Sequence, residues 1–325
     1  MTVLFPPDLS DLESEMMQGL AQVEARLRTQ IRSDYQLADV TARHLVEAGG
    51  KRFRPLLVLL AAQFGDANAP GIVPAAVVVE LTHLATLYHD DVMDEATVRR
   101  GSESANSRWG NTVAILSGDF LFARSSALLA DLGPDAVRVQ AETFERLVIG
   151  QLRETVGPVD GEDPVTHHLE VLADKTGSLI SASARYGAMM SGVSSELTDR
   201  LAEFGESIGI AFQLSDDLLD IESTVSGKTP GTDLREGIKT LPVLLALADS
   251  ATDTYLRELL SKPLVDDAEH AHALTALRAH PAMDEARSVL RQWSDKARNL
   301  LSGLPDCPAK SALVVLCDSV ESRSI

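Results

Sequence analysis

Apolar residues recur at helical spacing along most of the chain. Leu12, Met16, Leu20, Val23, Leu27 and Ile31 follow at intervals of 4, 4, 3, 4 and 4, which puts them on one face of a helix. A second helix is predicted at about 37–48, closed by Gly49-Gly50 in a left-handed backbone. Pro55 suits the first turn of a third helix that carries the apolar run 56–62. Residues 64–69 read as a loop, and Pro74 opens a strongly apolar helix that runs into His89-Asp90-Asp91-Val92-Met93-Asp94. Further helices are predicted over 111–129 and 136–153, and near 166–191, 197–221, 240–250 and 282–301. A turn-rich stretch covers 157–164 and a polar loop covers 222–239. No alternating strand pattern is present, so the pattern predicts an all-α fold.

Composition agrees with that prediction. Hydrophobic residues make up 45% of the 325 and aromatics only 4%, which suits packed Ala, Leu and Val helices better than strands. No Pro/Gly/Ser-rich linker divides the chain, so 1–325 is expected to be a single domain. With 29 basic and 48 acidic residues the net charge is −19, which argues against a nucleic-acid footprint. Cys307 and Cys317 alone make neither a disulfide framework nor a zinc site. The first residues lack a signal pattern, and Glu80 and His83 interrupt the most apolar stretch. A cytoplasmic protein without stable membrane insertion is therefore expected.

The chemistry concentrates where apolar helices end. Asp90 and Asp94 are four residues apart, so on a helix they stack on one face with Asp91 on the flank. Like charges at that spacing are destabilising unless a cation lies between them. Carboxylates completed by water and phosphate oxygens are what Mg²⁺ prefers. The same spacing returns at Asp216, Asp217 and Asp220, 126 residues later (216 − 90), again after an apolar run. A single copy reads equally well as a solvated acidic face. Two copies, each closing a buried helix, point to metal, because buried like charges need a counter-ion.

Metal held by carboxylates usually faces phosphate, which makes the basic residues informative. Gly49-Gly50-Lys51-Arg52-Phe53-Arg54-Pro55 sets three cations beside two glycines at a helix start, an arrangement suited to an anion. Arg99 and Arg100 follow Asp94 closely. Lys175 sits in an otherwise apolar helix, where an unpaired ammonium is costly. Lys228 lies in a Gly-flanked loop and His83 lies seven residues before Asp90. Taken singly, Lys228 reads as a surface lysine and His83 as a hydrogen-bonded helix histidine.

These motifs together resemble the trans-isoprenyl diphosphate synthases, or polyprenyl synthetases, over about 49–242. The resemblance is carried by Gly49 to Pro55, His89 to Asp94 with Arg99-Arg100-Gly101, Asp174-Lys175-Thr176, Phe212 to Asp220, and Gly227-Lys228 with Gly231 to Leu234. It implies an all-helical dimer of the isoprenoid synthase type, with a deep central cavity between facing Asp-rich helices. It further implies a Mg²⁺-dependent prenyltransferase that condenses isopentenyl diphosphate with an allylic diphosphate. About three Mg²⁺ ions would be held by Asp90, Asp91, Asp94, Asp216, Asp217 and Asp220. Arg99, Lys175 and Lys228 would hold the allylic diphosphate, and Lys51, Arg54, His83 and Arg100 would hold isopentenyl diphosphate. Thr176 and Gln213 would turn oxygen dipoles towards the allylic cation. The homologous pattern often has a lysine directly after Gly237, where this chain has Ile238; Lys239 is one place later. Arg323 is the one candidate for a basic C-terminal tail.

Product length is read from the helix before the first Asp motif. Family members with short products tend to place an aromatic four or five residues before the first Asp; here those positions are Thr86 and Ala85, with Thr82 and Val79 deeper. Three further helical turns would deepen a pocket by roughly 15 Å. The expectation is a bacterial medium- or long-chain product of six or more isoprene units, with geranylgeranyl diphosphate as the alternative if Phe120 or Phe122 closes the floor. A terpene cyclase and a subunit that needs a partner are lesser alternatives; the second Asp triplet and the first basic motif argue against the cyclase. A homodimer is expected.

Overall fold

The computed structural model describes residues 5–222 and 230–323. Helices dominate, and their contacts fall into two compact units. One comprises Met1–Phe144, Leu179–Glu203 and Leu304–Leu313, and the other Glu145–Ser178, Phe204–Gly303 and Val314–Ile325.

The first unit begins with α1 (Ser10–Gln30), whose predicted stripe of Leu12, Met16, Leu20, Val23 and Leu27 is buried. Helix α2 (Gln36–Glu47) is followed by Gly49 with φ +84°, the left-handed closure expected from the sequence. Helix α3 (Phe53–Ala62) is buried from Pro55 to Ala62. Its N-cap, Arg52, has φ +49°, an uncommon conformation for a side chain of that size. The backbone is held there by side-chain contacts. Arg52 donates from Nε to Glu24 of α1 at 2.9 Å and from Nη1 to Glu80 at 2.7 Å.

Glu80 belongs to α4 (Ile72–Met93), the apolar helix that ends in the first Asp motif. Beyond it, β1 (Val98–Arg99) and β2 (Ser102–Glu103) form an antiparallel hairpin that the sequence reading missed. Its two turn residues, Arg100 and Gly101, both have positive φ, as a twisted two-residue hairpin turn requires. A short α5 (Ala105–Trp109) leads to α6 (Asn111–Leu132), which packs along α4. That packing is close at Gly118, where a Cβ would fall 2.4 Å from His89 Nε2 and 3.0 Å from the Ala85 carbonyl. Both α4 and α6 are long and apolar enough to cross a membrane, but most of α4 is enclosed by protein.

Helix α7 (Pro134–Val156) carries the chain from the first unit into the second. The helix predicted near 166–191 is in fact two, α8 (Pro164–Leu172) and α9 (Ser178–Met190), joined by a π-helical turn over Ala173–Gly177. Helix α10 (Ser195–Glu222) ends in the second Asp motif. A short helix, α11 (Thr232–Glu236), lies in what the sequence suggested was all loop. Then follow α12 (Leu241–Ala248), α13 (Thr254–Leu260), α14 (Asp267–Arg278), α15 (Ala282–Ser302) and α16 (Pro308–Ser322). The sequence reading missed α5, α13, α14 and α16, although α13 and α14 carry a legible start signal. Asp253 caps Tyr255 and Leu256, and Asp266 caps Ala268 and Glu269.

Arg52 is thus a structural rather than a solvent-facing cation, with side-chain exposure of 9% against 3% for Glu80. Arg52→Leu is expected to strand the Glu80 carboxylate inside the first unit and to cost about 3–5 kcal/mol. Denaturant unfolding of the variant checks this; a midpoint unchanged from the parent would show that Glu80 needs no partner.

Candidate active site

In the first unit, the end of α4 presents its candidate side chains on one side. His83, Thr86, Leu87 and Asp90 are the part-exposed positions of that stripe, and Asp94, the C-cap, is exposed. The helix C-terminus carries the negative end of the dipole, which favours a cation beside Asp90 and Asp94. Asp91 is different. It is fully buried, and Oδ1 accepts a 2.5 Å bond from Arg99 Nε while Oδ2 is enclosed without a hydrogen-bond partner. Burial raises its pKa above the ordinary carboxylate value despite the opposing Arg99 guanidinium. Asn106 Nδ2 ties the site to the following loop, donating to the carbonyls of Asp91 at 2.9 Å and Ala96 at 3.0 Å.

The hairpin separates the two adjacent arginines. Arg99 lies on β1 and pairs with Asp91, whereas Arg100 occupies the turn and donates to the carbonyls of Leu45, at 3.2 Å, and Gly49. Gly50 makes this approach possible, because a Cβ there would lie 2.9 Å from Arg100 Nη1. Arg54, at the start of α3, has a buried Nε with no hydrogen-bond partner. Burial pushes its pKa down to about 10, with Glu80 opposing the shift and Arg100 adding to it. A buried guanidinium donor left without an acceptor fits an anion. His83 is held well below the ordinary imidazole value, first by burial and then by Arg54, Arg100, Arg52 and Arg99. Lys51 is exposed.

In the second unit, each Asp of the second motif has a distinct setting. Asp216 is half-exposed and accepts from Arg323 Nη2 at 3.3 Å, and the Arg323 guanidinium also lies over the Phe212 ring. Asp217 is buried and 3.0 Å from His168 Nε2 of α8. Asp220 accepts from the backbone N–H of Thr232 at 3.1 Å and of Asp233 at 3.2 Å, fixing the start of α11. Lys175 and Thr176 stand on the π turn, and Lys175 Nζ pairs with Glu154 of α7. Gln213 is half-buried on α10. Lys228 lies outside the described residues.

Among the described residues, no three His, Cys, Asp or Glu side chains converge closely enough to chelate a metal unaided. The donor set nevertheless suits a hard divalent ion. In the first unit Asp90 and Asp94, and separately in the second unit Asp216, are open to solvent in part or fully, and Mg²⁺ characteristically takes one or two carboxylates and completes its shell with water and phosphate oxygens. The positions expected from the sequence to set chain length also differ from one another. Thr86 is part-exposed and donates to the His83 carbonyl, while Ala85 and Thr82 are fully buried. Thr82 Oγ1 accepts from Gln140 Nε2 at 2.9 Å and lies 3.4 Å from Ser125 Oγ. The Phe122 ring packs against His89 and Phe144.

Sequence reasoning missed His168, Asn106 and Glu154, which hold Asp217, Asp91 and Lys175. The adjacent histidines at 167 and 168 were a visible signal for the first. The other two look like ordinary surface residues until the fold brings them in.

The environment of His83 makes a pH prediction. Its folded-state pKa is depressed, so the unfolded chain takes up a proton that the folded chain refuses, and stability falls as pH drops below the unfolded value of about 6.5. Histidine proton shifts followed by NMR should show His83 staying neutral from pH 8 to pH 6; a normal midpoint near 6.5 would contradict the arrangement.

With the geometry in place, similarity to known proteins is informative. A model of the polyprenyl synthetase family matches residues 36–277. The chain is 50% identical to a nonaprenyl diphosphate synthase of Mycobacterium tuberculosis, across 99% of this chain and 98% of that protein. A crystal structure of geranylgeranyl pyrophosphate synthase from Corynebacterium glutamicum, complexed with calcium and isoprenyl diphosphate, superposes with a TM-score of 0.88. Its identity is 44%, and 98% of each chain is covered. A decaprenyl diphosphate synthase from Rhodobacter capsulatus gives a TM-score of 0.88 at 34% identity, over 98% of this chain and 99% of that one. The expected all-α isoprenoid synthase fold is therefore present, and the chain belongs to the polyprenyl synthetase family of prenyltransferases.

Proposed function

We propose that this protein extends an allylic diphosphate by head-to-tail condensation with isopentenyl diphosphate, using Mg²⁺, to give a long-chain polyprenyl diphosphate of six or more units. The observation that carries the product length is the 50% identity, over essentially the full length, to a nonaprenyl diphosphate synthase. Small residues at Thr86 and Ala85 support it, since neither would wall off a growing chain near the first Asp motif. The second reading, geranylgeranyl diphosphate, draws on the 44% identity to the Corynebacterium glutamicum enzyme and on the enclosure of Thr82 beneath Gln140. The family match crosses both compact units without a break, which supports 1–325 working as one functional domain.

The six aspartates divide by role in this proposal. Asp90, Asp94 and Asp216 are the accessible ligands for metal, about three ions in all. Asp220 belongs to the same metal-binding set while its carboxylate secures α11. Asp91 and Asp217, both buried, orient Arg99 and His168. When bound, Mg²⁺ would hold the allylic diphosphate and neutralise charge gathering on the leaving group. Arg99, Lys175 and Lys228 bind that same diphosphate. Lys51, Arg54, His83 and Arg100 bind isopentenyl diphosphate, with the unpartnered Arg54 Nε as a ready donor and neutral His83 as a hydrogen-bonding group. Thr176 and Gln213 turn oxygens towards the allylic cation, and Thr82, Ala85 and Thr86 belong to the chain-length wall. The double bond of isopentenyl diphosphate attacks the allylic carbon as diphosphate leaves. A proton is then lost from the new cation to the departed diphosphate, and a longer allylic diphosphate results.

The same proposal includes a cytoplasmic homodimer. In the first unit Ile115 and Leu116 on α6, and Val137 and Phe144 on α7, are exposed apolar side chains. A second copy covering this surface would remove it from water. Sedimentation at micromolar concentration should give twice the 34.9 kDa chain mass; a single species at the monomer mass would exclude the dimer.

The catalytic reading is checked with labelled isopentenyl diphosphate, Mg²⁺ and farnesyl or geranylgeranyl diphosphate, with products resolved by length. Products of six or more units are expected. A clean stop at four units would select the geranylgeranyl reading. In the same assay Asp94→Asn should lower kcat/KM by about 100-fold or more, and full activity would remove Asp94 from the metal site.

A further inference from the structure

Helix α7 grips the π turn through three residues spaced one helical turn apart: Arg146, Gly150 and Glu154. Arg146 donates from Nε to Asp174 Oδ1 at 2.8 Å and from Nη2 to the Ala173 carbonyl at 3.3 Å. Its third nitrogen, Nη1, donates to Glu206 Oε2 of α10 at 2.7 Å. Four residues on, Gly150 lets the two backbones touch, because a Cβ there would fall 2.7 Å from the Lys175 backbone nitrogen. Glu154, four further, pairs with Lys175 Nζ. Spacing of i, i+4 and i+8 keeps the three on one side of the helix.

The π turn needs such a hold. A π turn interrupts the regular i→i−4 ladder and is intrinsically less favourable than α-helix, and such turns are frequent at functional sites. Here the Asp174 carbonyl accepts from Ser178 Oγ at 2.5 Å, and the Ala173 carbonyl accepts from the Ser178 N–H as well as from Arg146. Local bonds therefore complete the turn, but none of them sets its place relative to α10. Arg146 does, because one planar guanidinium reaches Asp174 and Ala173 on the turn and Glu206 on the helix that carries Asp216. Lysine, a single point charge, cannot make the three contacts at once.

We infer that Arg146 is a positioning residue for the prenyl transfer: it locks the π turn to α10 and thereby sets Lys175 and Thr176 for the allylic diphosphate. The inference rests on the reading that Lys175 binds that diphosphate. Arg146 itself is committed to two carboxylates and a carbonyl, and acts through the turn.

The test is steady-state kinetics with each substrate varied separately, on Arg146→Gln, Lys175→Gln and the double variant, with thermal unfolding measured on each. Arg146→Gln is expected to raise KM for the allylic diphosphate, or lower kcat, by about tenfold or more, as misplacement of a binding group does. KM for isopentenyl diphosphate should stay within about twofold, a split that general loss of stability would not produce. In the Lys175→Gln background the Arg146 substitution should add little further loss, since the two act as one unit. Arg146→Lys should recover only part of the activity. If Arg146→Gln does not fold, Asp174→Asn weakens the same link from the other side and should give the same split. Independent, multiplying losses in the double variant, or an equal change in both KM values, would overturn the inference while leaving Lys175 as a diphosphate ligand. An unchanged allylic KM in Lys175→Gln would instead remove the reading of Lys175, and the inference with it.

Discussion

The structure depends on one electrostatic constraint: charged side chains stand at the ends of apolar helices, where water is scarce and an unpaired charge is costly. Several of these groups in the described residues answer it with a specific partner, while the buried Arg54 Nε is left without one. Glu80, in the middle of apolar α4, is met by Arg52. Asp91 is met by Arg99, Asp217 by His168 and Lys175 by Glu154. The partners come from other elements, so each pairing also fixes where a neighbouring loop or helix lies. Charge compensation thereby does structural work that apolar packing alone would leave unspecified.

This explains the unusual backbone at three places. Arg52 takes up a left-handed conformation at the start of α3, where it reaches both Glu24 and Glu80. Arg100 takes up another in the turn of the hairpin, so that it and Arg99 point to different partners, one to carbonyls at the end of α2 and the other to Asp91. The π turn at Ala173–Gly177 is the third, held by Arg146. Strained or irregular backbone costs free energy and persists where surrounding contacts over-determine it. In all three places the irregular segment carries, or adjoins, a residue with a role in the proposed chemistry.

Much of the fold was legible along the chain. The 4, 4, 3, 4, 4 spacing of α1, the apolar approach to Asp90 and the glycine closure after α2 are local signals, and each is found where it was expected. Most of the elements missed are short or interrupted, although the 15-residue α16 was missed as well. The hairpin at Val98–Glu103 has two residues per strand, too few for alternation to register. The π turn keeps helical periodicity on both sides, so 166–191 reads as one helix. Helices α13 and α14 had aspartate caps, but their apolar stripes were too brief to carry a prediction.

Sequence by itself determined the family, the all-helical class and the list of acidic and basic residues, because motif spacing, periodicity and composition are properties of the chain in order. Only tertiary structure decided what each residue in that list is free to do. Asp90 and Asp91 are adjacent and chemically identical, yet one is part-exposed and the other is buried against Arg99. Arg99 and Arg100 are likewise neighbours with unrelated partners. The physical reason is that burial and pairing are set by residues of other elements, Arg99 for Asp91, His168 for Asp217 and Arg146 for the turn bearing Lys175. No local pattern encodes which of these arrives, so the donor list was readable and the division of labour within it was not.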